Sequence, residues 1–449
     1  MNFGRSFYGA PYKKEEKGME KICIIGLGYI GLPTAIIAAR HGFSVVGFDI
    51  DEERIERIKA GDPVIKEPDI AEQLESALYT GKFKVQSTLE FADCFVIAVP
   101  TPFKENKKAD LSYIWAAVHD LVAYVRPGNV IIIESTIPVG LTEEVATFLE
   151  NKTGLILGHT LFVAHCPERV LPGNIFYELV YNPRIIGGVR ATCMHKAKEF
   201  YNRFVRGSLY LTSATAAEMI KLIENSSRDV QIAFANQVAA MAYSLDLNPF
   251  EIIELANKHP RVSILNPSCG VGGHCIAVDP WFLVESFPEQ TQLLKAARLI
   301  NDAKPLQVIE TVRKAVVQWQ NIHKTVPTVL ALGVTYKPNV DDVRESPALL
   351  IAKKLSDDKD MRLLVCDPYA PLITMYDTFG SSVVSLENGM TQADLILCLV
   401  KHAEFQKIAL LKNDKQKILD FCGLLHISQT DAPEMVFWPE ALENQRVLL

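Results

Sequence analysis

The sequence has no apolar run long enough to cross a bilayer; its longest, Val130 to Ile133 and Ile396 to Val400, are strand-sized. It has no basic tract interleaved with aromatics, and a net charge of -7 argues against a nucleic-acid binder. No Cys/His cluster has zinc spacing, so no metal site is expected. The nine cysteines are odd in number and lack framework spacing, which excludes a disulfide scaffold and points to a reducing, cytoplasmic setting. Cys23, Cys94, Cys366 and Cys398 lie within apolar strand-like runs, where cysteine acts as a small core hydrophobe. Residues 1–20 lack an apolar h-region and read as a loose extension, not a secretory signal. What is present is ordinary globular material: 49% hydrophobic and 22% charged over 449 residues, enough for two or three domains.

The first informative stretch is Lys21 to Ile25, a β-type run followed at once by Gly26-Leu27-Gly28-Tyr29-Ile30-Gly31 and an Ala/Ile-rich helical segment to Arg40. Strand, GxGxxG, helix is the context of a dinucleotide fold, where glycines let a pyrophosphate approach a helix N-terminus. A second strand, Ser44 to Phe48, ends at Asp49, eighteen residues after Gly31. A carboxylate there can accept hydrogen bonds from both ribose hydroxyls and repels a 2′-phosphate, so NAD is expected over NADP. Strands at Cys94 to Val99, Val130 to Ile133 and Leu161 to Ala164 follow. They lead into Pro100-Thr101-Pro102, Glu134-Ser135-Thr136 and His165-Cys166-Pro167-Glu168-Arg169. Such loops lie at strand carboxyl ends, where open parallel sheets bind ligands, although capping hydroxyls are also common there.

Ser213 to Leu245 contains no Pro or Gly and predicts one long helix, with Lys221, Asn225 and Arg228 at i, i+4 and i+7 on one face. That stripe is either a solvated face or the lining of a ligand site. Further on, Gly270 to Trp281 places three glycines around Cys275, with Asp279 four residues later and Pro280 positioned to open a helix. A buried structural cysteine and a presented nucleophile both fit this segment. After a helical stretch at Gln290 to Gln320 comes a second α/β module. It has a strand at Thr328 to Gly333, a helix from Ser346 to Leu355, and a strand from Arg362 to Cys366 ending at Asp367. Ala393-Asp394 before its next strand echoes Ala92-Asp93 before Cys94. The fold class is therefore α/β: two Rossmann-like doubly wound parallel-sheet domains joined by a long central helix. The second module lacks GxGxxG and is not expected to bind a dinucleotide. Its loop Tyr336 to Ser346 carries Lys337 and Arg344, which suit a diphosphate or simply a charged surface.

These motifs, from about Lys21 to Gly423, resemble the nucleotide-sugar dehydrogenases, the family of UDP-glucose dehydrogenase. The resemblance rests on GLGYIGLP, Glu134 to Gly140, Cys166 to Gly173, Glu224 to Asp229, GVGGHCIAVDPWF and Lys337 to Pro347. It implies an NAD-dependent four-electron oxidation at C6 of a UDP-sugar through a cysteine thiohemiacetal and thioester. Where UDP-glucose enzymes carry Ser and Lys, this chain has His274 and Val278, which implies a 2-acetamido sugar. Ala277 to Trp281 favours UDP-N-acetylmannosamine, with UDP-N-acetylglucosamine as the alternative. Other classes left open are a two-electron dehydrogenase of the 6-phosphogluconate type and a catalytically silent sugar-nucleotide binder.

By the same resemblance, Cys275 is the nucleophile, Lys221 and Asn225 polarise the reacting oxygen, and Asp279 is the acid/base partner. Thr136 and Glu168 hold the catalytic water. Gly26, Gly28, Tyr29, Ile30, Gly31, Asp49, Arg54, Thr101 and Thr136 are implied as cofactor contacts. Substrate contacts are implied at Glu168, Arg169, Val170, Lys221, Asn225, Arg228, His259, Arg261, Tyr336, Lys337 and Arg344. A homodimer or higher homo-oligomer built on the long helix is expected, with His259-Pro260-Arg261 reaching the neighbour's site. The expected organisation is an extension (1–18), an NAD-binding domain (19–210) and a central helical region with the cysteine loop (211–322). A UDP-sugar-binding domain (323–426) and a tail (427–449) complete it. Two departures stand out: Ser268-Cys269 replaces a Gly-Pro type entry to the glycine loop, and Cys422 replaces an arginine after the last strand.

Overall fold

The computed structural model describes residues 19–65, 67–104, 107–170, 173–273, 275–413 and 415–426. The expected extension, the tail and His274 lie outside the described residues. Two compact units are present: one contains residues up to Thr101 with Asp110–Lys221, the other Pro102–Ala109 with Leu222 onward.

The first unit is built on eight strands: β1 Lys21–Ile25, β2 Ser44–Phe48, β3 Phe83–Gln86, β4 Cys94–Ile97, β5 Asn129–Ile133, β6 Leu161–His165, β7 Arg184–Gly188 and β8 Leu209–Ser213. Their order is β3-β2-β1-β4-β5-β6-β7-β8. All pair in parallel except β6 with β7, so the expected parallel sheet is mixed at that one junction. β4 and β5 are buried at every position, as a sheet covered on both faces requires. The order reverses between β1 and β4, and a doubly wound sheet opens its ligand crevice at such a reversal.

The second unit holds a four-stranded parallel sheet: β9 Thr328–Leu332, β10 Arg362–Cys366, β11 Leu395–Cys398 and β12 Lys417–Asp420, in the order β10-β9-β11-β12. Alternation along β9 sends Val329 and Ala331 into one apolar cluster and Leu330 and Leu332 into another, so this sheet too is packed on both faces. Its reversal lies between β9 and β11.

The long helix runs Ala214–Ser244, and the boundary between the units falls within it, after Lys221. A second long helix, Gln292–His323, tolerates Pro305 inside it. Pro280 does stand at the start of a helix, Asp279–Ser286. Among the described residues, no helix is long and apolar enough to cross a membrane.

Candidate active site

In the first unit, the glycine turn has the shape a dinucleotide needs. A Cβ on Gly31 would lie 1.8 Å from the Gly26 carbonyl oxygen, so only glycine lets the helix start that close to the turn. A Cβ on Gly28 would meet nothing within 4 Å, which leaves this backbone approachable. Ile30, at the helix N-cap, supplies no side-chain cap; Leu32 N–H donates to the Gly28 carbonyl at 3.2 Å and Pro33 has no N–H, which leaves the Gly31 amide to face a pyrophosphate. Asp49 is 5% exposed at the end of β2, where Oδ2 accepts the Leu27 N–H at 2.8 Å. Arg54 donates to the same oxygen at 3.0 Å, and Oδ1 accepts the Asp51 N–H at 3.0 Å. Arg54, expected as a cofactor contact, is thus paired with Asp49, the carboxylate expected at the ribose.

Tyr29 donates to Glu67, which also accepts the Gly173 N–H at 2.7 Å. Sequence reasoning passed over Glu67; its only signal was acidity in a loop. Thr101 donates to the Thr136 carbonyl oxygen at 2.6 Å and stitches together the loops after β4 and β5.

The Lys221 ammonium is buried at 6% exposure, which decides the stripe question for this residue against a solvated face. It donates to the Glu168 carboxylate at 2.8 Å and to the Glu168 carbonyl at 2.9 Å. The other Glu168 oxygen accepts the Val170 N–H at 3.0 Å. Arg169 donates to the Pro183 carbonyl at 3.1 Å. Beside them, His165 is fully buried, neither ring nitrogen has a hydrogen-bond partner among the described residues, and burial pushes its imidazole down to about 3.

In the second unit, the Cys275 carbonyl accepts the N–H groups of Val278 at 2.9 Å and Asp279 at 2.8 Å, which fixes the half-buried thiol's residue to the helix start. Asp279 is 2% exposed, and its carboxylate accepts from the Asn225 amide at 2.6 Å. Cys275, Asp279 and Asn225, to which the resemblance assigns a nucleophile, an acid/base and a polariser, thus lie in this unit, the last two hydrogen-bonded to each other.

The glycines of this loop serve a further purpose. A Cβ on Gly272 would lie 2.4 Å from the Glu345 carbonyl oxygen, and Gly273 N–H donates to the Arg344 carbonyl at 3.2 Å. The cysteine loop is docked backbone to backbone on the Tyr336–Ser346 loop. Burial, then the charges of Asp342 and Cys275, push the Tyr336 phenol up to about 12.

Arg344 is gripped by Asp342, with contacts at 3.0 and 2.7 Å, a partner the sequence reading missed. Of the other implied substrate contacts, Arg228, His259 and Arg261 are exposed on this unit. At the strand end where an arginine was expected, Asp420 instead accepts the Cys422 and Leu425 N–H groups at 3.0 and 2.9 Å. Among the described residues, no group of three or more His, Cys, Asp or Glu could hold a metal ion.

Comparison with known proteins identifies the class. Residues 20–205 match the NAD binding domain of the UDP-glucose/GDP-mannose dehydrogenase family, 215–303 its central domain and 330–426 its UDP binding domain. The chain belongs to that family and is an NAD-dependent oxidoreductase. It is 46% identical to the UDP-N-acetyl-D-mannosamine dehydrogenase of Methanocaldococcus jannaschii, over 88% of each chain. It is 40% identical to an NDP-N-acetyl-D-galactosaminuronic acid dehydrogenase of Ralstonia nicotianae, over 90% of this chain and 96% of that one. The solved UDP-D-ManNAc dehydrogenase of Pyrococcus horikoshii superposes with a TM-score of 0.82 at 40% identity, covering 90% of this chain and 96% of that one.

Proposed function

We propose that the protein oxidises the C6 hydroxymethyl of UDP-N-acetyl-D-mannosamine to the carboxylate, releasing UDP-N-acetyl-D-mannosaminuronate. The observation that carries this reading is the Cys275–Asp279–Asn225 arrangement, in which a thiol-bearing loop ends on a buried, hydrogen-bonded carboxylate. Relatives named for mannosamine and for galactosaminuronic acid bear on the substrate; His274 and Val278 point to a 2-acetamido sugar, and the mannosamine reading rests on the Ala277 to Trp281 segment.

Bound NAD, held by the glycine turn and Asp49, supplies the hydride acceptor for each of two oxidations. The chain's residues supply the rest. A base removes the C6 hydroxyl proton as the first hydride leaves, giving the aldehyde. The Cys275 thiolate adds to that carbonyl and forms a thiohemiacetal, whose loss of a second hydride leaves a thioester. Water hydrolyses the thioester to the acid and restores the thiol. Lys221 and Asn225, one helical turn apart, are assigned as donors to the oxygen that gains charge; one such donor is worth about 10²–10³ in rate. Asp279 is assigned the proton transfers. Thr136 and Glu168 are assigned to the water, Glu168 being oriented by its pairing with Lys221.

The active unit proposed is a homodimer. Met219, Ile223, Phe234 and Met241 are exposed at spacings of 4, 11 and 7 residues, which lays one apolar stripe along Ala214–Ser244. In this reading His259 and Arg261 reach the neighbouring subunit's substrate. Full activity in a species that sediments as a monomer would remove the dimer from the proposal.

The test of substrate is NAD reduction with UDP-N-acetylmannosamine, UDP-N-acetylglucosamine and UDP-glucose in parallel. The reading expects UDP-N-acetylmannosamine to be preferred, with two NADH per sugar and no free aldehyde. One NADH per sugar with aldehyde as product refutes the cysteine route.

A further inference from the structure

The second unit contains a buried cluster that the reaction does not use. His402, just beyond β11, is 0% exposed. Its Nδ1 accepts the Asn339 N–H at 2.9 Å, which requires Nδ1 to be unprotonated. Nε2 is then the protonated nitrogen. It lies 3.2 Å from both the Asp367 carboxylate and the Thr335 hydroxyl. Thr335 donates onward to the Lys337 carbonyl at 3.0 Å, and the Asn339 side-chain oxygen accepts the Ala403 N–H at 3.0 Å. Asn339 adopts φ 59°, a left-handed backbone that costs energy in a non-glycine residue. Tyr369 stacks on the imidazole, with ring centroids 5.0 Å apart.

The contacts run both ways between the segment after β11 and the segment after β9, across the point where the strand order reverses. They end on Lys337 and Asn339, in the loop whose Tyr336 and Arg344 pack against the Cys275 loop. We propose that His402 is a positioning residue for nucleotide recognition. Its neutral Nδ1–unprotonated tautomer holds the Asn339 amide and so presents Lys337 to the UDP diphosphate. The inference rests on the UDP-sugar reading of this loop.

The two ring nitrogens can be separated by substitution. The side-chain oxygen of His402→Asn falls near the place of Nδ1 and can still accept the Asn339 N–H. The terminal atoms of His402→Gln fall near Nε2 and leave the Asn339 N–H without this part-buried partner. Calorimetric titration with UDP itself, on the full chain, reads the difference without catalysis. The expected result is near wild-type UDP affinity for His402→Asn and about a three- to tenfold loss for His402→Gln, the scale of one part-buried hydrogen bond. NADH affinity should be unchanged in both. Hydrogen exchange of the 336–345 segment should accelerate only in His402→Gln.

Asn339→Gly, which keeps the left-handed backbone and the amide but drops the contact to Ala403, should retain UDP affinity within about threefold. Equal losses in the Asn and Gln variants would mean that His402 acts through packing alone, and would overturn the assignment. Wild-type affinity in both would overturn it equally. A wild-type protein that fails to bind UDP would instead refute the UDP-sugar reading on which the inference stands.

Discussion

Asp49 offers the sharpest test of cofactor choice. An ionised carboxylate has about four acceptor sites. Three are filled by the Leu27 N–H, the Asp51 N–H and Arg54. That leaves about one for the ribose, where the sequence suggested two. In Asp49→Asn, the amide oxygen can keep Leu27, but the NH2 group now faces the Asp51 N–H and cannot accept. The charge that holds Arg54 disappears. Loss of one charge-assisted bond to a ribose hydroxyl is worth about 1.5–3 kcal/mol, so NAD should bind about 10- to 100-fold more weakly. Arg54, 36% exposed and released from its partner, becomes a ready contact for a 2′-phosphate, so NADP should gain. Initial rates with each cofactor, together with calorimetric titration of NADH and NADPH, measure both effects. Because Asp49 also holds the Leu27 amide, the variant's melting temperature must be read alongside. Wild-type kcat/KM equal for the two cofactors, or an Asp49→Asn variant with unaltered NAD affinity, would show that this carboxylate does not read the ribose.

Three further outcomes follow from the same geometry. Cys275→Ser should bind UDP-sugar and NAD about normally yet lose turnover by orders of magnitude, because serine is far less ionised near neutral pH than a thiol of pKa ~8.5; unchanged turnover would refute the thiol route. Asp229→Ala removes one of the two carboxylates on the buried Arg298, Asp302 keeping the other, together with the Asn301 contact at 2.9 Å; urea unfolding should show a loss of about 1.5–3 kcal/mol, and a wild-type midpoint would refute it. His165, buried neutral with its imidazole pushed from 6.5 to about 3, contributes stability that is present above pH 6.5 and lost as pH falls toward 3. His165→Leu should flatten that acid limb in urea midpoints measured against pH, and an unchanged slope would count against it.

The strands legible in the sequence are those with unbroken apolar runs, such as Asn129–Ile133, where both faces are covered. Three were missed, for physical reasons. β3 and β8 are edge strands whose partial exposure breaks the run. β7 ends in Gly187-Gly188, which reads as a turn. Those glycines exist because a Cβ on Gly187 would lie 2.4 Å from the Ala217 methyl, a close approach that leaves no trace in a periodicity. The echo of Ala92-Asp93 in Ala393-Asp394 proved physical. The Asp93 carboxylate accepts the Lys21 N–H at the start of β1, and Asp394 accepts the Thr328 N–H at the start of β9, each at 2.8 Å. The grips of Asp342 on Arg344 and of His402 on Asn339 were not legible, because no spacing or composition marks a contact made by the folded chain alone.

The same repetition explains why the two modules diverge in what they bind. Asp49 ends β2 and accepts the Leu27 N–H from the turn after β1; Asp367 follows β10 and accepts the Val334 N–H, at 2.6 Å, from the turn after β9. Both carboxylates brace the turn beside their sheet's reversal point. They part at their remaining capacity. Around Asp49 the other charged partner is Arg54, a flexible and partly exposed side chain that a ribose can displace. Around Asp367 the corresponding partner is the neutral His402, whose side chain, like that of Asp367, is 0% exposed. Burial would raise the Asp367 carboxyl, but hydrogen bonds from His402, Val334 and Ala370 hold it below the usual range, so it stays charged and fully engaged. A ribose hydroxyl arriving there finds no acceptor. The second module thus differs from the first in two independent features: it has no glycine motif, and its carboxylate is taken up by His402, the turn after β9 and the backbone of Tyr369 and Ala370.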